Sequence, residues 1–278
     1  MNENCFLSPL WPVLHADNHL LALYKPAGLL VQGDETGQTS LLELGKAWLK
    51  QKYQKPGRVF LGMVHRLDRP VAGVVLFCRT SKAAARISEQ FRTGNVRKHY
   101  LAVVEGVMKE ASGRLVHQVE KREDRSSRIV SAKSPLSREA RLSYRVVDVC
   151  GYRSLVEILL ETGRKHQIRL QMAHMGNPVL GDVRYGASAP LPQQQIALLA
   201  RELTVEHPVH RGELSIRSPL PQGWPWPKAS ILPDAPPWNY SDFSCLSYPD
   251  GQPFNAETDL KTPVRTPKEI LRGVRPHR

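Results

Sequence analysis

Residues 59–78 read VFLGMVHRLDRPVAGVVLFC. Two short apolar segments, Val59 to Val64 and Gly73 to Cys78, flank the polar hexapeptide His65-Arg66-Leu67-Asp68-Arg69-Pro70. Apolar runs of this length bounded by glycine and proline predict buried strands. The hexapeptide is then a loop held on two rigid supports. Asp68 is its one carboxylate, between Arg66 and Arg69. A carboxylate among guanidinium groups is held ionised at neutral pH, which suits a nucleophile or an electrostatic stabiliser rather than a general acid. A structural Asp–Arg pair is the ordinary alternative.

Upstream of this stretch, Val13-Leu14-His15 and Leu20 to Tyr24 flank Asp17-Asn18 and predict a hairpin. Ser40 suits the N-cap of a helix with Leu41, Leu44, Trp48 and Leu49 on one face, a pattern that Gly45 weakens. Downstream, Thr80 or Ser81 starts a helix that presents Ala84, Ile87 and Phe91 and stops at Gly94. Tyr100 to Val104 is expected as a strand, and Arg141 to Val149 with Arg153 to Glu161 as a second hairpin about Cys150-Gly151. The loop at Thr162-Gly163 leads into a helix expected from Lys165 to Met175, which Gly176-Asn177-Pro178 ends. Helices and strands mix without βαβ alternation, so the expected class is α+β.

The chain has 278 residues with 41% hydrophobic and 23% charged, enough for a sizeable core. Lys and Arg number 39 against 26 Asp and Glu, a formal net charge of +13. Twelve of the 22 prolines fall in residues 219–278, a stretch of net charge +1, so the basic excess belongs to residues 1–218. Proline at that density prevents helices and central strands. We therefore divide the chain into a folded body, 1–218, and a Pro-rich extension, 219–278. The basic excess suits a polyanion, with nucleic acid ahead of an anionic membrane surface. Residues 121–141 carry seven basic and three acidic residues and are expected to be exposed. No apolar run is long enough to span a membrane, and no leader pattern opens the chain. Cys5, Cys78, Cys150 and Cys245 are scattered and form no CxxC pair, so reduced thiols in a cytoplasm are expected.

Two further polar stretches interrupt apolar supports, Arg97-Lys98-His99-Tyr100 and Thr162-Gly163-Arg164-Lys165-His166-Gln167-Ile168-Arg169. The second clusters cations at a helix start, where backbone donors also favour an anion such as phosphate. A solvated basic helix face is the alternative. His166 and His174 lack carboxylate partners nearby, which makes a poor metal site. Tyr100 is either a core aromatic or a ring on which a base stacks. No phosphate-binding GxxxxGK[ST] loop, GxGxxG fingerprint or GxSxG elbow occurs.

Taken in order, Tyr24-Lys25-Pro26-Ala27-Gly28, Val64-His65-Arg66-Leu67-Asp68-Arg69, Lys98-His99-Tyr100-Leu101-Ala102, Glu161 to Arg169 and Asn177-Pro178-Val179-Leu180-Gly181-Asp182 resemble the RluA-type RNA pseudouridine synthases over about residues 12–218. The resemblance implies a pseudouridine synthase fold: a mixed, largely antiparallel central sheet with flanking helices and a catalytic cleft. It implies catalytic roles for Asp68, Tyr100 and Arg164, the last as the basic partner of the aspartate. His65, Arg66, Arg69, Lys165, His166, Gln167 and Arg169 are the expected substrate-binding residues. The implied substrate is ribosomal or transfer RNA, handled by a monomer without metal or organic cofactor. Two departures stand out. The hairpin near Val13 leaves no room for the S4-like RNA-binding domain of many relatives, so a stand-alone catalytic domain is expected. Ala72 also occupies a position where a hydroxyl is usual. A noncatalytic RNA-binding or ribosome-assembly factor of the same fold is the competing reading, and a metal-dependent nuclease a more distant one.

Overall fold

The computed structural model describes residues 13–35, 37–122, 126–131, 133–192, 195–221 and 223–227. Its centre is β4 (Ala72–Cys78), where seven consecutive residues are buried. A strand buried throughout must be covered on both faces. Its neighbour β2 (Leu20–Lys25) is equally buried and pairs with it antiparallel from Leu20–Cys78 to Lys25–Gly73. The alternation of side chains sorts the two faces. Leu21, Leu23, Val75 and Phe77 join the core that receives Leu41, Leu44, Trp48 and Leu49 of α1 (Leu41–Lys52). Leu20, Ala22, Val74, Leu76 and Cys78 meet Ala83 and Ile87 of α2 (Ser81–Thr93) on the other face.

Both helices start and stop where local chemistry directs. Ser40 and Glu43 form a reciprocal capping box at α1, and the Thr80 side chain caps α2 by accepting from the Ala83 N–H. Gly94 ends α2 in the left-handed conformation. Gly45 sits against the sheet, where an added Cβ would lie 3.0 Å from Leu61 and 3.1 Å from Leu23. The glycine that weakens the helix pattern thus allows α1 to approach closely.

The remaining strands are β1 (Val13–Ala16), β3 (Gly62–Met63), β5 (Arg97–Glu105), β6 (Ser112–Lys121), β7 (Ser127–Val130), β8 (Arg138–Val149), β9 (Arg153–Leu160), β10 (Leu198–Glu206) and β11 (Glu213–Arg217). They form one sheet in the order β1-β2-β4-β10-β5-β9-β8-β6-β7, with β3 also on β4 and β11 also on β10. The pairing is antiparallel except between β4 and β10. A third helix, α3 (Gln167–His174), follows β9, and a 3-10 turn covers Val183–Tyr185. The α+β class and the largely antiparallel sheet expected from the sequence are what the chain forms.

Several local expectations are revised. The apolar run Val59–Val64 contributes only the two residues of β3, because the side chain of His65 then takes over the pairing with β4. Part of the basic stretch 121–141 is strand, β7 against β6. The third helix begins at Gln167, two residues later than Lys165, because His166 adopts a left-handed conformation at φ 56°. The extension expected from Pro219 is described as far as Pro227, and its Trp224 and Trp226 are buried in the main core. Residues 228–278 lie outside the described residues. No described helix is long and apolar enough to cross a membrane.

β10 joins the two halves of the sheet, and its junction with β4 is tight. Gly73 has φ +126°, and a Cβ there would lie 2.3 Å from the carbonyl oxygen of Ala200. Only glycine combines this dihedral with this approach. Gly73→Ala is expected to lower folding stability by about 3 kcal/mol or more in urea titration. A loss below about 0.5 kcal/mol, the range of an ordinary surface substitution, would show that the junction relaxes.

Candidate active site

The loop before β4 is tied down residue by residue. Nε2 of His65 accepts from the Leu76 N–H at 2.8 Å, replacing a strand partner, and its ring stacks on Phe91 at 4.9 Å. The Val71 N–H donates to the Asp68 carbonyl at 3.1 Å and closes the turn. The Arg69 carbonyl accepts from the Gly28 N–H at 2.7 Å and from Nζ of Lys25 at 3.0 Å. Lys25 is wholly buried and donates also to the carbonyls of Pro26 and Leu29, at 2.7 and 2.8 Å. Burial pulls its pKa down to about 7, against the pull of Asp68. A buried amine thus props the underside of the loop that displays Asp68.

Opposite this loop, the segment between β9 and α3 wraps around one carboxamide. Oε1 of Gln167 accepts from the Thr162 hydroxyl at 2.8 Å and the Arg164 N–H at 2.9 Å, while its Nε2 donates to the Arg141 carbonyl at 3.0 Å. Arg169, in the first turn of α3, is buried and makes a two-pronged pair with Asp182, Nε to Oδ2 at 2.6 Å and Nη2 to Oδ1 at 2.8 Å. That fork fixes the guanidinium plane. The remaining nitrogen, Nη1, lies 3.4 Å from Oδ2 of Asp68. Nε2 of His166 is 3.7 Å from the same oxygen, and its Nδ1 is 2.8 Å from the Tyr185 hydroxyl. The Tyr185 ring also lies beneath Arg169, at 5.1 Å.

A cleft of about 580 Å³ joins these groups, bringing Asp68, Tyr100, Arg164, Lys165, His166 and Arg169 to one wall or another. Tyr100 emerges from β5 between Ala200 and Ile158. Burial, reinforced by Asp68, raises the pKa of its phenol well above the usual range, so the hydroxyl stays protonated. Lys98, two residues earlier, also lines the cleft, and burial with the nearby Arg164 lowers its pKa. Among the described residues, the cleft therefore offers a single carboxylate amid cations.

Several sequence-expected residues take other places. The guanidinium facing Asp68 is that of Arg169, whereas Arg164 turns its Nε to the Glu139 carbonyl at 2.8 Å. Arg164 lies in the loop before α3 and is drawn to the β8 backbone, whereas Arg169 lies on α3, where Asp182 aims it. Arg69 turns its Nε to the Gly28 carbonyl at 3.0 Å, leaving exposed Arg66 as the cation of the hexapeptide at the cleft. His65 and Gln167 line the cleft but spend the polar atoms just described on loop and sheet. His166 and His174 diverge, the latter meeting His117 edge-on at 4.9 Å. Asp182 and Tyr185 have no role in the sequence reading. The motif order brought Asp182 into view, but only the fold shows that it holds Arg169.

His65 and His166 are both held down to about 4, first by burial and then by neighbouring cations, with Asp68 opposing the shift at His166. Both rings are thus neutral in the folded chain at pH 7. An unfolded histidine titrates near about 6.5, so between that pH and about 4 the unfolded chain binds protons that the folded chain refuses. Their contribution is fully present above pH 6.5 and disappears as pH falls through this window. Urea midpoints of the unaltered chain are expected to drop across it, and those of the His65→Gln/His166→Asn variant to drop less. Parallel profiles would remove both rings from the account.

The chain is similar to known proteins in sequence and in fold. The family model described as RNA pseudouridylate synthase matches residues 19–174. The ribosomal large subunit pseudouridine synthase D of Xylella fastidiosa is 33% identical over 226 residues, covering 76% of this chain and 66% of that protein. The tRNA pseudouridine synthase C of Haemophilus ducreyi is 32% identical over 248 residues, covering 83% of this chain and 98% of its own. Among solved structures, human RNA pseudouridylate synthase domain containing 4 superposes with a TM-score of 0.65 at 25% identity, over 77% of this chain and 90% of that one. With more than half of its length matched by the family model, this chain belongs to the RNA pseudouridylate synthase family.

Proposed function

We propose that this chain converts uridine to pseudouridine within ribosomal or transfer RNA, with Asp68 as the reacting carboxylate. The observation that carries the reading is the Asp68 carboxylate in the cleft, faced by a guanidinium that a second, buried carboxylate holds in place. The relatives named above act on both RNA classes. A cytoplasmic RNA also suits the free thiols of Cys78 and Cys150.

In the reaction the N1–C1′ bond breaks, the uracil turns, C5 bonds to C1′, the C5 proton leaves and N1 gains one, so the product is an isomer of uridine. Attack of Asp68 on C1′ and elimination toward a glycal both draw on the same carboxylate. The target nucleotide must leave its stack to reach the cleft, at a cost of a few kcal/mol. Arg66 and Lys165 at the cleft wall offset this cost by meeting the flanking phosphates. Tyr100 offers its ring as a platform for the base and, being protonated, a hydroxyl that can donate. Arg169 lies beside the carboxylate throughout and balances its charge as bonds change at the sugar.

Asp68→Asn is expected to abolish pseudouridine formation in bulk RNA, read by nucleoside chromatography, while RNA binding is retained. Undiminished product would eliminate Asp68 as the reacting group. The two arginines are expected to separate. Arg169→Lys, which keeps the charge but loses the fork to Asp182, should lower kcat by about 100-fold or more. Arg164→Ala should cost no more than about tenfold, because one cation of many is lost. The reverse order would return the pairing role to Arg164.

A further inference from the structure

Behind α3 lies a second cavity, of about 450 Å³, lined by Arg122, Ser127, Ile129, Leu170, Arg184 and Tyr185 among others. Its size falls in the range of about 300–1,000 Å³ typical of small-ligand sites. The floor is apolar, since Ile129 and Tyr185 pack on the small cluster of Val119, Ala140 and Leu170. The rim is basic. Arg122, Arg128 and Arg184 line the opening, and Arg128 pairs with Glu120 at 2.9 Å. An apolar floor beneath guanidinium groups matches a nucleotide, base below and phosphate above.

Tyr185 is the partition between this groove and the cleft. Its hydroxyl meets Nδ1 of His166 on one side at 2.8 Å and accepts from the Ser127 N–H on the other at 3.3 Å. Lys165 lines the cleft, and Arg184 lines the groove. Burial, then the like charges of Lys121, Arg184 and Arg66, lower the pKa of Lys165, with Asp68 opposing. Cations that repel one another along a line from cleft to groove are relieved by a chain of phosphates.

We propose that the groove is a second nucleotide site, which takes an unpaired nucleotide of the same RNA strand that fills the cleft. Its phosphate lies on Arg122 and Arg184 and its base over Ile129 and Tyr185. The inference rests on the RNA-modifying reading and names where the strand goes next. It also gives the basic 121–141 stretch a purpose, since Arg122 and Ile129 both come from it.

The test uses the full chain carrying Asp68→Asn, with a labelled single-stranded oligouridylate followed by fluorescence anisotropy at increasing salt. Each phosphate contact removed should flatten the slope of log K against log salt by about 0.7. Arg122→Gln is therefore expected to flatten it by about 0.7, and Arg122→Gln with Arg184→Gln by about 1.4. The Arg122→Lys/Arg184→Lys pair should keep the original slope, which separates lost charge from lost fold. Ile129→Ala should weaken binding several-fold with no change of slope. Lys55→Gln with Arg58→Gln, both exposed and just ahead of β3 in the other half of the sheet, should leave the slope in place. A slope unmoved by Arg122→Gln, or moved equally by the Lys55/Arg58 pair, overturns the groove. Absence of pseudouridine after bulk RNA is treated with the unaltered chain instead overturns the enzymatic reading, and the two failures are read independently.

Discussion

One guanidinium held between two carboxylates organises this molecule. Arg169 is clamped in plane by buried Asp182 and turns its remaining nitrogen to Asp68. A buried ion pair of this kind contributes little net stability, because desolvation offsets most of the attraction. Its value lies in direction. Asp182 spends its charge on orienting Arg169, which then stands at a fixed place beside a carboxylate that is open to the cleft. The Tyr185 ring beneath the guanidinium and His166 beside it complete a shell in which the cation has one available orientation.

The rest of the site consists of supports that hold Asp68 up to that cation. Lys25, His65 and Gln167 spend polar atoms on backbone groups, each at a different end of the two facing loops. All three would pass for ligand-binding residues in a list of polar side chains around a cleft. Their hydrogen bonds identify them as the frame. The left-handed backbone at His166 belongs to the same frame, since its ring is held there by the Tyr185 hydroxyl.

How much of this was legible in the sequence follows from how local each feature is. The Ser40 cap, the stop at Gly94 and the buried run of β4 depend on neighbours within a few positions and are legible in the sequence, whereas the cap of α2 is narrowed only to Thr80 or Ser81. The motif order identified the family and placed Asp68 and Tyr100 in one cleft. The choice between Arg164 and Arg169 was not local. It turns on the Glu139 carbonyl that holds Arg164 and on Asp182, thirteen residues beyond Arg169 in the chain. β6, β10 and β11 left little trace for a similar reason, since polar and charged residues alternate or cluster along them and their place is set by pairing across the sheet.

The insertion of β10 between β4 and β5 has a temporal consequence. Asp68 is carried ahead of β4 and Tyr100 on β5, yet these strands meet only through residues 198–204. Chains emerge from the ribosome N-terminus first and fold as units become complete. The two walls of the cleft therefore wait, during synthesis, for a strand made about a hundred residues after Tyr100.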